Sequence, residues 1–274
     1  MSDLEPPPVD LGARIAQRAR TVRPPGRPIG LGALPTGREL YAAMTTRLGA
    51  LLDDLTIEEW TTPVQPYGWS VGGLVGHLIA IDDHTVDAHR DAVVHDEASR
   101  DHLAMTRTSV EEHDGGDAAT TLAAWTASSA RVAGLGGGDR TVRFHGAPLA
   151  SETVLVIRAF EVWTHSDDVR RAVDRPVVDP TPEQVHVMSE RSLAMATRAD
   201  LGTLRLVLTG PGGGTWQLGR PVPPGEELAL LVLDAVDYCR FAARRLDRDD
   251  LDVEIGGAAG AAEGFLTVAR SMAL

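Results

Sequence analysis

The sequence predicts an α+β protein, a helical bundle followed by a small α/β domain. Three observations carry this. Between residues 37 and 175, four long segments place apolar residues at helical spacing, with irregular loops between them. After Arg175-Pro176 the chain turns proline-rich. Beyond that point, short runs such as Leu204–Thr209 and Leu251–Ile255 are apolar throughout or alternate, as strands do, and stand among further helical stretches. The expected division is a Pro- and Arg-rich arm over 1–36, a bundle over 37–175 and an α/β domain over 176–274.

In the arm, residues 13–20 suit a short helix that Pro24, Pro25 and Pro28 bring to an end. Residues 37–54 read as the first bundle helix, because Leu40, Met44, Leu48, Leu51 and Leu52 form one stripe. A turn-rich stretch, Thr61 to Trp69, leads to a second helix running from Val71 to about Val94. Gly68-Trp-Ser-Val-Gly72 matches the G-x-S-x-G pattern of a nucleophile elbow, but Pro63 and Pro66 stand where a buried strand is required. Ser70 is therefore expected to be a helix N-cap. Residues 97–113 read as a polar mixture of short helix and loop. Residues 117–134 form a helix with Leu122, Trp125 and Val132 inward, ended by the glycine run 134–138. Residues 141–148 are extended, and the last bundle helix starts near Ser151. In the α/β domain a helix is expected over 182–200. Strands over 204–209 and 215–218 follow, joined by a glycine-rich hairpin loop. A helix over 226–245, a strand over 251–255 and a closing helix complete the domain.

Composition excludes several chemistries. All 26 basic residues are Arg, so neither a Walker A lysine nor a Schiff-base lysine exists. The net charge of −13 repels phosphate backbones, so nucleic acid is not expected as a partner. The single cysteine, Cys239, permits no internal disulfide and falls in an apolar pattern that reads as core. No apolar run reaches the length of a membrane span and no signal core opens the chain, so a cytoplasmic protein without membrane contact is expected.

The chemistry concentrates on the stretch Arg158–Val173, which has no Gly or Pro for sixteen residues. Glu161 and His165 sit at i, i+4 on it, so both side chains share one face and can ligate one divalent metal. Asp168 follows on that face and can orient His165. On spacing alone, a solvated helix face remains an alternative. On the second helix, His77 borders the apolar face of Leu74, Leu78 and Ile81, and becomes a ligand candidate if the two helices pack together. His84, two turns along, is the reserve. Asp91 and His95 form a second i, i+4 pair, read as solvated surface.

Trp69-Ser-Val-x-x-Leu-Val-x-His-Leu78, with Arg158-x-x-Glu-x-Trp-x-His-x-x-Asp-Val169 some eighty residues later, resembles the mycothiol-dependent maleylpyruvate isomerase family. That family belongs to the DinB-like metal-binding four-helix bundles. The stretch Asp237–Asp252 is similar to the family's C-terminal, sterol-carrier-like α/β domain. The resemblance implies a metal held by His77, Glu161 and His165, with Zn²⁺ the expected ion and mycothiol the cosubstrate. It also implies a C-terminal arginine that acts on the substrate, with Arg244 or Arg245 as candidates. Without the resemblance, those two residues fit a basic helix C-terminus equally well. The expected function is isomerisation or S-transfer on a small organic substrate, and an oligomer is compatible with it. A metal-dependent hydrolase and a non-catalytic small-molecule-binding protein are the alternatives.

Overall fold

The computed structural model describes residues 30–91, 101–196 and 202–271, which fold as two compact units. The arm helix over 13–20, His95 and the far ends of the helices expected to reach Val94 and residue 200 lie outside the described residues. The chain is α+β, with helices dominating the first unit and a sheet in the second.

The first unit is Pro35–Pro180. Helix α1, Gly37–Asp53, starts at a capping box in which Thr36 and Glu39 satisfy each other's backbone N–H. Its stripe of Leu40, Met44, Leu48, Leu51 and Leu52 is buried, as the periodicity predicts. A single turn, α2 (Ile57–Trp60), leads to a two-residue ladder of β1 (Pro63–Val64) and β2 (Trp69–Ser70). The sequence reading expects no strand before Ser70, so this ladder is a correction. It is far shorter than the buried strand of a nucleophile elbow, and the Ser70 hydroxyl is used locally. It accepts from Gly73 N at 3.1 Å and caps α3, Val71–His89. Helix α4, His102–His113, occupies most of the stretch expected to be half loop, because the Asp101 carboxylate caps it through Leu103 N and Ala104 N. Helix α5 is Ala118–Ala133. Strands β3 (Thr141–Phe144) and β4 (Ala147–Ala150) form a hairpin, and α6, Ser151–Ala172, closes the bundle.

The position of α4 depends on glycine. An added Cβ on Gly76 would stand 2.5 Å from Ser109 O and 2.9 Å from His113 Cβ. The absence of a side chain there lets α4 lie directly on α3, where Ser109 Oγ donates to Gly76 O at 2.7 Å. Gly76→Ala is therefore expected to push α4 away and destabilise the bundle by about 1–3 kcal/mol. A urea titration of variant against wild type checks this, and an unchanged midpoint would contradict the packing argument.

A buried polar network runs through the bundle core. Arg158 is fully buried on α6 and donates to Asp82 Oδ1 at 2.9 Å and to Glu161 Oε2. Asp82, also fully buried, accepts from Tyr41 OH at 2.7 Å and from Ser128 Oγ at 3.3 Å. The network thus ties α1, α3, α5 and α6 through five side chains that would each be costly to bury alone.

The second unit runs from Thr181 and also takes in residues 30–34, ahead of α1. Helix α7, Pro182–Ala196, is followed by a four-stranded sheet of order β6-β5-β7-β8. Its strands are β5 (Leu204–Thr209), β6 (Gly214–Leu218), β7 (Ala229–Asp234) and β8 (Val253–Gly257). β5 and β7 are parallel and the other pairs antiparallel. The helix expected over 226–245 is corrected here. Its first part is β7, and only α8, Ala235–Ala242, is helical, starting at an Asp234 cap. The run Ala229-Leu-Leu-Val-Leu233 lies in the middle of the sheet and is buried at every position, which erases the alternation that would mark a strand. Helix α9, Ala259–Ser271, ends the unit. Cys239 is buried on α8 beside Ser189, and burial pushes its thiol up to about 12.

Candidate metal centre

Helices α3 and α6 bring His77 and Glu161 together, as the two-helix argument requires: His77 Nε2 is 3.1 Å from Glu161 Oε1. His165, one turn along α6, places its Nε2 3.9 Å from the same oxygen. The His77 and His165 rings meet edge to face with centroids 5.3 Å apart. All three side chains are at least nine-tenths buried.

The surrounding hydrogen bonds set the protons. His165 Nδ1 lies 3.0 Å from Asp168 Oδ2. A carboxylate only accepts, so the ring proton sits on Nδ1 and the Nε2 lone pair is exposed to the centre. His77 Nδ1 lies 3.0 Å from Thr106 Oγ1, whose own hydroxyl has carbonyl acceptors at His102 and Leu103. Thr106 therefore accepts from His77, and the His77 Nε2 lone pair faces Glu161. A lone pair 3.1 Å from an ionised carboxylate oxygen is unfavourable unless a cation lies between them.

Charge follows the same pattern. Burial works against ionising Glu161, but the Arg158 guanidinium and then His102 overcome it and hold its carboxyl well below the usual range. Arg158 engages Oε2 and so leaves Oε1 to the imidazoles. Burial, partly opposed by Glu161, pushes the His77 imidazole down to about 4. The sign is fixed by linkage. In the unfolded chain this ring takes a proton near pH 6.5, and in the folded chain only near 4. Stability therefore falls as pH drops through that window, by on the order of 3 kcal/mol from this group. Metal-free wild type is expected to lose more melting temperature between pH 7 and 4.5 than metal-free His77→Gln. Equal losses would contradict the assignment.

Two residues of the centre are invisible to helical spacing. His102, on the first turn of α4, has its Nε2 3.2 Å from His77 Nε2 and 3.0 Å from Glu161 Oε1. His145, in the β3–β4 turn, reaches His102. The only available signal was an Asp-His pair opening a weakly patterned helix, which predicts a cap rather than a ligand. The reserve candidate, His84, packs on Phe144 and His145 rather than on Glu161. Tyr67 and Trp69, stacked at 4.7 Å, contact the rings of His165 and His77 and wall one side of the centre.

Residues 41–170 match the family model described as the mycothiol maleylpyruvate isomerase N-terminal domain. The bundle belongs to that family. Over 80% of the chain the fold is also similar to that of a mycothiol-dependent maleylpyruvate isomerase. One crystal structure of that enzyme aligns with a TM-score of 0.56 and 18% identity, over 80% of this chain and 91% of its own. A mutant of the enzyme aligns with a TM-score of 0.54, at the same identity and coverage. Two uncharacterised Mycobacterium tuberculosis proteins are 26% identical over 249 residues, covering 82% of this chain and 91% of theirs.

Arg244 and Arg245 lie in the second unit. Arg244, at a φ of 60°, donates Nε to Arg270 O at 3.0 Å, and Arg245 donates Nη1 to Ala243 O at 2.7 Å. Their role toward a substrate rests on the resemblance alone.

Proposed function

We propose that the protein is a divalent-metal-dependent enzyme using a low-molecular-weight thiol, mycothiol, for isomerisation or S-transfer on a small organic substrate. His77, Glu161 and His165 are the proposed ligands and Zn²⁺ the proposed metal. The observation that carries this reading is the convergence of imidazole lone pairs and an ionised carboxylate oxygen in one buried place. Membership of the bundle in the isomerase family supports the thiol.

The donor set fits the ion. Imidazole nitrogen and carboxylate oxygen suit Zn²⁺, and the 3.1 Å between His77 Nε2 and Glu161 Oε1 is near the about 3.3 Å edge of a tetrahedral zinc site. A metal bound there supplies the charge that keeps a thiol, ordinarily of pKa ~8.5, ionised at neutral pH. The chain's own residues do the rest. Arg158 fixes the Glu161 carboxylate, Asp168 and Thr106 fix the two imidazole tautomers, and Tyr67 and Trp69 limit water on one side. Cys239 is buried with its thiol pushed up to about 12, so the nucleophilic sulfur is external.

Addition of a thiol to an activated double bond, rotation and elimination isomerise that bond. Addition without elimination leaves an S-conjugate. A substrate carboxylate is assigned to Arg244 or Arg245, following the resemblance. No helix among the described residues is long and apolar enough to cross a membrane. We place the protein in the cytoplasm, where such a thiol is reduced.

Zinc-loaded protein incubated with maleylpyruvate, or with a soft electrophile such as monochlorobimane, tests the reading. Isomer or conjugate is expected only when mycothiol is present. Conversion without thiol would favour a hydrolase, and binding without conversion a non-catalytic role.

A further inference from the structure

His102 does not merely neighbour the centre. Its Nε2 and His77 Nε2 stand 3.2 Å apart, and they lie 3.0 and 3.1 Å respectively from Glu161 Oε1. The three atoms form a nearly equilateral triangle whose edges match a tetrahedral zinc site more closely than the 3.9 Å of His165 to Glu161. Two protonated nitrogens this close repel each other, two bare ones repel the carboxylate, and a single proton on one ring serves its partners one bond at a time. A cation inside the triangle engages all three atoms at once.

The other side of the His102 ring offers the acceptor that a ligating tautomer needs. His102 Nδ1 lies 3.3 Å from His145 Nε2. His145 and Gly146 form the two-residue turn of the β3–β4 hairpin, with φ of 46° and 77°. Such a type I′ turn favours Asn-Gly, and a histidine is held there against that preference. The turn sets the His145 ring against His102, centroids 5.0 Å apart, with His84 stacked behind it at 4.9 Å. With His145 Nε2 accepting the His102 Nδ1 proton, the His102 Nε2 lone pair faces the centre, as in a ligating histidine with its supporting acceptor.

We infer that this chain holds its divalent cation through a fourth protein ligand, His102, with His145 as the positioning residue that fixes its tautomer. The inference rests on the metal reading above and extends it. The site becomes three imidazoles and one carboxylate drawn from α3, α4 and α6. A donor set this rich in nitrogen takes Zn²⁺, Co²⁺ or Ni²⁺ and rejects Mg²⁺ and Ca²⁺. The thiol of the proposed reaction would then enter as a fifth ligand, an expansion open to catalytic zinc.

Co²⁺ titration of the full chain, followed by visible absorption and by competition with a chelator of known affinity, tests this. The variants are His102→Gln, His145→Asn and His77→Ala. Glutamine retains a hydrogen-bonding group toward Glu161, and asparagine tolerates the left-handed turn but is too short to reach His102. Wild type is expected to bind one Co²⁺. His102→Gln should bind at least tenfold more weakly with an altered visible spectrum, and His145→Asn about tenfold more weakly. His77→Ala should bind none. If His102→Gln matched wild type in affinity and spectrum while His77→Ala lost the ion, the fourth ligand would be refuted and the three-ligand reading would stand. If wild type bound no Co²⁺, both would fall.

Discussion

Arg158→Met is expected to destabilise the bundle by about 3–5 kcal/mol, because it leaves two carboxylates buried without their cation. Asp82 and Glu161 both accept from this one guanidinium, and both are buried. The side chain removed is fully buried and straddles α3 and α6. Burial already raises Asp82 despite Arg158, and burial, with Asp82 nearby, raises Tyr41 well above the ordinary phenol range. Without Arg158 both carboxyls should take up protons on folding, so the stability loss should shrink as pH falls toward 5. Urea unfolding followed by tryptophan fluorescence at pH 7.5 and 5.5 reads this. A loss under 1 kcal/mol, or one independent of pH, would show that the network does not bind the helices together. The triple variant Arg158→Met, Asp82→Asn, Glu161→Gln should recover part of the loss, since it removes the charges along with their partner.

Glu161→Gln is expected to act in the opposite sense, weakening metal binding by at least about 100-fold while changing metal-free stability far less. It removes the one carboxylate oxygen on which the imidazoles converge. It leaves Arg158 paired with Asp82, so the remaining charges still balance. A chelator competition with Zn²⁺ gives the affinity, and a melt of chelator-treated protein gives the stability. Retained affinity would move the metal away from this cluster. Equal loss of stability in Glu161→Gln and Arg158→Met would recast Glu161 as a structural partner of Arg158.

How far the sequence could be read depended on which interactions have a period. The α1 stripe, the Ser70 cap and the shared face of Glu161, His165 and Asp168 are local consequences of helical geometry, and the structure has all of them. The pairing of His77 with Glu161 needed only that α3 and α6 face each other. His102 and His145 could not be read in this way. One sits on the first turn of a helix whose docking depends on a missing side chain at Gly76. The other sits in a hairpin turn in a left-handed conformation that an Asn would have announced and a His does not. β7 is hidden from the sequence for a related reason: in the centre of a sheet both faces are buried, and Ala229–Leu233 has no alternation left to separate strand from buried helix. Nothing in the sequence pattern places Asp82 opposite Arg158.

Metal content of untagged protein, purified without chelator, tests the central claim most directly. Near one zinc per chain in wild type, and none in His77→Ala folded to the same helicity, is the result expected. Wild type without metal, and taking up none when Zn²⁺ is added, would contradict it.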